Sequence, residues 1–349
     1  MNGEAMLPWS GELAGRIDEQ VITSELLRDN PLGDRFERPI IVYLPPGYDD
    51  AANGERRYPV VYVIMGYGGY VSMWRNRSAF RQPFIETADQ MFAAEAAPPA
   101  LVVYVDAWTR YGGSQYVDSP GTGKYHSYLC DEVVPWVDAS YRTLADREHR
   151  AISGKSSGGF GAMITPMLRP DLFGALATHA GDALYELCYV PEFGDCVRML
   201  REYDGDIWQW WDDFTTRTAF SKKADEALLG TLGVAACFSA DPDGQPQLPF
   251  DTHTGVLRED VWQRWLDWDP VRMTAKYADA LRSLRAIWID AGNADDFYLD
   301  VGAAAFRAAL AEIDVPDEVI RFEIFDGTHA AIDHRYPLAL AWLCQQMAA

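Results

Sequence analysis

The sequence predicts an α/β protein built on a mainly parallel sheet, and three observations predict it. Short β-branched runs alternate with helical stretches along most of the chain. One run enters Gly154-Lys155-Ser156-Ser157-Gly158-Gly159, a strand-to-helix turn of the G-x-S-x-G kind. The alternation breaks down once, over residues 183–270, and then resumes.

The elements follow in order. Residues 21–24 and 40–44 read as the first strands of a meander, the second closed by Pro45-Pro46-Gly47. Val60–Ile64 is a continuous apolar run of buried-strand type that ends in glycines. A helix is expected near 84–96, a strand over Leu101–Val105, a helix near 125–139 and a short strand over 150–152. The glycine turn and a helix over 160–168 come next. Between 183 and 270 no clean strand appears, Pro and Gly recur, and Trp208, Trp210, Trp211, Trp262, Trp265 and Trp268 cluster, so this segment reads as an insertion. A helix near 273–284, a strand over 286–289, a helix near 301–313, a strand over Ile320–Phe325 and a helix over 338–347 complete the pattern.

Composition bounds the function. The chain of 349 residues is 48% hydrophobic and 23% charged, which excludes disordered and fibrous classes. Its 30 Lys plus Arg face 52 Asp plus Glu, a net charge of -22 that argues against nucleic acid, anionic lipid or a polyanionic substrate as partner. Cys130, Cys188, Cys196, Cys237 and Cys344 are odd in number and include no C-x-x-C pair, so neither a disulfide framework nor a cysteine-rich zinc site is suggested. The first twenty residues lack the basic and apolar regions of a signal peptide, and no run approaches a membrane span. A cytoplasmic, whole chain is therefore expected. H-E-x-x-H, Walker A and G-x-G-x-x-G patterns are absent. No cofactor and no metal are expected, and nothing points to a homo-oligomer.

The chemistry concentrates at strand ends. Ser156 is the candidate nucleophile, because small residues on either side let a tight turn lift its hydroxyl off the sheet. A base and an orienting acid should follow in the order serine, acid, histidine. The strand at 286–289 runs into Gly292-Asn293-Ala294-Asp295-Asp296, and Ile320–Phe325 runs into Asp326-Gly327-Thr328-His329. His329 is preferred as base over His334, which lies farther from the strand end. Asp295 is preferred as acid over Asp296, which should point the opposite way in an extended loop. Backbone donors for an oxyanion should come from Ser157 and from Tyr67, in the glycine-rich loop Gly66-Tyr67-Gly68-Gly69. His126 reads as structural. His179, just past a strand, also reads as structural, although it lies near enough to the strand end to line a pocket.

The runs at 58–69, 150–162, 289–295 and 325–329 resemble the esterase D-like family of α/β-hydrolases, which includes S-formylglutathione hydrolases, enterochelin esterases, feruloyl esterases and mycolyltransferases. The resemblance covers residues 38–182 and 271–349. It implies an α/β-hydrolase fold and a metal-free triad carried by Ser156, Asp295 and His329. Many relatives have His-Gly or Pro-Gly where this chain has Met65-Gly66, and the insertion matches none of their well-characterised branches. By this resemblance, residues 1–182 and 271–349 form the core, and residues 183–270 form a cap over the active site.

Within that cap, Trp208 and Trp211, with Gly66 and His179 from the core, are expected at the substrate, the other tryptophans forming the insertion's own small core. The expected activity is a serine carboxylesterase acting on small neutral esters through an acyl-enzyme on Ser156. An acyltransferase with the same triad and a non-catalytic binding protein on a hydrolase fold are the alternatives.

Overall fold

The computed structural model describes residues 11–77 and 81–348. The sequence reading of residues 1–10, the start of the expected core segment 1–182, falls outside the described residues. Among these residues the central sheet has eight strands: β1 (Arg16–Thr23), β2 (Glu37–Leu44), β3 (Val60–Ile64), β4 (Leu101–Val105), β5 (Arg150–Ser156), β6 (Ala175–Gly181), β7 (Ala286–Gly292) and β8 (Ile320–Phe325). Their order is β1-β2-β4-β3-β5-β6-β7-β8. The β1–β2 and β2–β4 pairs are antiparallel, and all the others are parallel. β3 to β8 therefore all end on one edge of the sheet, where open α/β sheets bind their ligands.

Strand residues alternate between two apolar cores. One face, with Ile41, Tyr43, Val61, Val63, Tyr104 and Trp288, is covered by α1 (Phe84–Ala93) and by the last helix, Arg335–Ala348. The other, with Val42, Tyr62, Ile64, Val103, Ile152 and Ile289, receives α2 (Ser157–Leu168) and a helical stretch over 125–140. α2 begins three residues before the expected start at 160. Gly158 and Gly159 pack so tightly that they belong to its first turn rather than to a loop.

The insertion is helical: α3 (Val190–Leu200), α4 (Ile207–Thr216), α5 (Asp225–Phe238) and α6 (Glu259–Leu266) are its longer elements. Phe193, Leu200, Trp210, Leu232, Trp262 and Trp265 join the same apolar cluster as Tyr62 and Ile64. The segment thus continues the core of one sheet face instead of enclosing a small core of its own. After it come α7 (Leu299–Glu312) and α8 (Arg335–Ala348).

Candidate active site

β5 ends in Ser156, where the chain reverses into α2. Ser156 takes φ 58° and ψ −128°, a conformation that costs a non-glycine residue about 1–3 kcal/mol and persists only where the surroundings enforce it. The enforcement is visible in the packing. A Cβ on Gly158 would meet Ile64 O at 2.5 Å and Met65 O at 2.7 Å, so only glycine lets α2 start this close to β3. Ser157 is the first residue of α2, and its N–H has no acceptor within the helix. The positive end of the helix dipole lies at the same point.

The loop after β3 lies against this turn. A Cβ on Gly66 would stand 3.0 Å from Lys155 O and 3.4 Å from Ser156 Cβ. The loop is pinned from both sides: the Tyr67 hydroxyl lies between the carbonyls of Tyr111 and Leu229 and shares its one proton with them, and the Tyr116 hydroxyl donates to Met65 O at 2.9 Å. Gly66, Tyr67 and Ser157 line a cleft of about 10 Å³, close to what one water-sized atom occupies.

Across the edge, His329 Nδ1 lies 2.8 Å from Asp295 Oδ2. Asp295 Oδ1 accepts the backbone N–H groups of Phe297 at 2.9 Å and Leu299 at 3.3 Å, which fixes the carboxylate against the imidazole. Asp295 is buried and Asp296 is exposed, so the structure sets Asp295 against the imidazole. Phe297 packs edge-on against His329, with ring centroids 4.9 Å apart, and also lines the cavity beside Ser156. His334 is exposed and packs against Phe325 instead.

The cavity beside Ser156, about 90 Å³, is lined by core residues Tyr67, Gln115, Ser157 and Asp182 and by Tyr189, Glu192 and Thr231 of the insertion. Asp182 follows β6 directly. It accepts from Ser157 Oγ at 3.0 Å, from the Tyr189 hydroxyl at 2.9 Å and, at a long 3.4 Å, from Ser156 Oγ. Burial raises its carboxyl above the ordinary range, although hydrogen bonds from Tyr189 and Ser157 and the nearby His329 pull the other way.

Three residues expected at the substrate lie elsewhere. Trp208 is 36% exposed on α4 and does not line the cavity. Trp211 packs edge-on against Tyr111, with centroids 5.0 Å apart, because its neighbour Trp210 takes the buried position and donates its indole N–H to Asp225 Oδ1 at 3.1 Å. His179 lies within β6 and is fully buried, with Nδ1 2.7 Å from Asp290 Oδ1 and its ring 4.6 Å from that of Tyr336. Asp290 also accepts from Trp288 Nε1 at 2.7 Å and Arg335 Nε at 2.8 Å, so the imidazole is held by its Nδ1 in a polar network inside the fold. His126 lies on the 125–140 stretch, with Nε2 3.8 Å from Cys130 Sγ.

The sequence reading did not single out Asp182, Gln115, Tyr189 or Glu192. Of these only Asp182 carried a legible signal, its position at the end of a parallel strand. Among the described residues no group of three or more His, Cys, Asp or Glu is placed to hold a metal ion, and no helix is long and apolar enough to cross a membrane. All five cysteines are buried and unpaired.

The family described as "Putative esterase" matches residues 35–337. An endo-1,4-beta-xylanase/feruloyl esterase of Xylanibacter ruminicola is 29% identical over 152 residues, 43% of this chain and 20% of that protein. An esterase of Mycobacterium tuberculosis is 29% identical over 139 residues, 39% of this chain and 28% of that one. The chain thus spans well under a third of the length of these curated relatives. Among solved structures, a ferulic acid esterase has a TM-score of 0.62 at 20% identity, covering 96% of this chain and all of the other. The S-formylglutathione hydrolase of Agrobacterium tumefaciens has a TM-score of 0.55 at 16% identity, covering 97% of this chain and 98% of the other. At these identities the likeness is one of fold.

Proposed function

Because this chain belongs to that esterase family and has its α/β-hydrolase fold, we propose that it is a serine carboxylesterase that cleaves small esters through an acyl-enzyme on Ser156. The observation that carries this reading is the Asp295–His329 hydrogen bond, formed on the same sheet edge as the strained turn at Ser156. His329 takes the Ser156 proton as Oγ attacks the ester carbonyl. Asp295 holds the proton on Nδ1, leaving Nε2 free to accept, and stabilises the imidazolium that forms. The N–H groups of Ser157 and Tyr67 hold the oxyanion. Collapse of the tetrahedral intermediate expels the alcohol with the proton from His329, and water, deprotonated by the same histidine, then releases the acid. The long Ser156–Asp182 bond is easily given up when the hydroxyl turns to the base. Residues 183–270 serve as the cap, since α3 and α5 supply one wall of the cavity.

The test is reaction with a fluorophosphonate, followed by peptide mapping of the adduct, alongside turnover of p-nitrophenyl acetate. Labelling confined to Ser156, together with turnover, is the expected result. An adduct elsewhere, or none, ends the proposal.

The closeness of Gly66 to the nucleophile carries its own prediction. Gly66→Ala pushes a methyl group against Lys155 O and displaces the oxyanion loop. It is expected to lower kcat/KM for that ester by about 10- to 100-fold, with the thermal midpoint measured in parallel to show that the fold survives. Unchanged turnover would mean that the loop contributes no donor.

A further inference from the structure

The last strand leaves the sheet with an open edge. β8 pairs with β7 on one side, and among the described residues no group is hydrogen-bonded to the backbone of its other side. Phe325 O accepts from Asn293 N at 2.8 Å, on the β7 side. Backbone direction alternates along a strand, so the N–H and C=O groups of Ile320, Phe322 and Ile324 point outward. The side chains of these three share one face, and Phe322 and Ile324 are 39% and 38% exposed.

An open edge is a template for pairing with another chain, and proteins usually guard it with charges, lysine above all, or with proline or a bulge. The opposite edge, β1, is guarded in this way by Arg16, Asp18 and Glu19. β8 contains no Lys or Pro, and its register with β7 is unbroken. Its two charges, Arg321 and Glu323, are of opposite sign.

Those charges make β8 complementary to itself. From Ile320 to Ile324 it reads apolar, positive, apolar, negative, apolar. Two copies laid antiparallel about an axis at Phe322 set Arg321 of each opposite Glu323 of the other. Ile320 then meets Ile324, and Phe322 meets Phe322. An axis one residue along, at Arg321 or at Glu323, would instead set like charges against each other.

The backbone selects the same register. The outward-pointing Ile320, Phe322 and Ile324 take the hydrogen-bonded positions, giving about six N–H···O bonds, and Arg321 and Glu323 take the positions where opposed side chains approach most closely. Both charged groups are already held on the α8 face. The Arg321 guanidinium lies 4.4 Å from the centroid of the Trp288 ring, and Glu323 Oε2 lies 2.6 Å from Arg335 Nη2 with the Glu323 side chain still 44% exposed. Like charges come level only past the strand, Asp326 of one copy with Glu318 of the other.

We propose that β8 is a self-association surface, through which two copies of this chain pair antiparallel about a two-fold axis at Phe322 and join their sheets into one. The proposal is independent of the esterase reading. It bears on the site because β8 runs directly into the loop that carries His329.

The test is the mass of the full chain in solution, by sedimentation equilibrium over a concentration series. Salt of about 0.15 M screens the net charge of -22 on each copy. The wild type is expected to approach twice the mass of one chain. Phe322→Asp sets two carboxylates on the axis, and Arg321→Glu sets acid against acid. Each should weaken association by about 10-fold or more. The double variant R321E/E323R makes the opposed charges complementary again and should restore it. Thermal midpoints show which variants fold. If the double variant does not, having lost the bond from Arg335, the wild type and Phe322→Asp decide. A monomeric wild type, a dimer that Phe322→Asp and Arg321→Glu leave intact, or a folded R321E/E323R that fails to associate overturns the proposal.

Discussion

Ser156→Ala is expected to lower kcat/KM toward a short neutral ester by roughly 10⁴- to 10⁶-fold while leaving the protein folded. The fold should tolerate the change because the strain at this position belongs to the backbone, with φ 58° and ψ −128°. Alanine keeps the same Cβ and therefore the same steric demands, and the only bond lost is the long one to Asp182 at 3.4 Å. The chemistry should not tolerate it, because no other hydroxyl lies on the turn in an equivalent position. Ser157 has its Oγ committed to Asp182 at 3.0 Å from inside the first helical turn. A residual rate above that of the uncatalysed reaction is expected, since the Ser157 and Tyr67 N–H groups and the cavity remain. Steady-state kinetics, with the thermal midpoint as a control, check this. A variant that keeps more than a tenth of the wild-type rate would remove Ser156 from the mechanism.

What the sequence could and could not disclose follows from the kind of signal each residue carries. Ser156, Asp295 and His329 are legible because each follows a strand of recognisable β pattern, and parallel strands must bring their ends to one edge. Asp182 has the same address after β6, but an isolated Gly-Asp pair offers no second mark to set it apart. Gln115 lies in an irregular loop at φ 49°, a conformation that no periodicity announces. α5 went unread because it is buried almost all round from Thr231 to Phe238, so it lacks the 3.6-residue alternation of a surface helix. β1 was legible only in part. It is an edge strand, mostly exposed over Arg16–Thr23, and its charged residues mask the β pattern except near Val21 and Ile22. The tryptophans misled for a related reason. Within α4 one turn holds exposed Trp208, buried Trp210 and Trp211 packed on Tyr111, and only tertiary packing decides which faces where. The pocket wall is built instead from Tyr189, Glu192 and Thr231, residues of no conspicuous type.

Asp295→Asn separates orientation of the histidine from mere proximity of a polar group, and it should cost about 10⁴-fold in kcat. Asp295 Oδ1 is held by the N–H groups of Phe297 and Leu299, while Oδ2 faces His329 Nδ1. An asparagine must keep its carbonyl oxygen on the two backbone donors, because its NH2 group cannot accept from them. The NH2 group then points at Nδ1, which is forced to become an acceptor, and the imidazole proton moves to Nε2. That tautomer has no lone pair with which to take the Ser156 proton. The shape is almost unchanged and the backbone bonds survive, so the melting temperature should shift by only a few degrees. An imidazole nitrogen chemical-shift measurement should show the tautomer exchanged in the variant. Asp182 is not expected to rescue the variant, since its carboxylate accepts from Tyr189, Ser157 and Ser156 and makes no hydrogen bond to His329. Near-normal kcat in Asp295→Asn, with the tautomer demonstrably exchanged, would mean that His329 is not the base. Near-normal kcat with the tautomer unchanged would mean that a group other than Asp295 sets it.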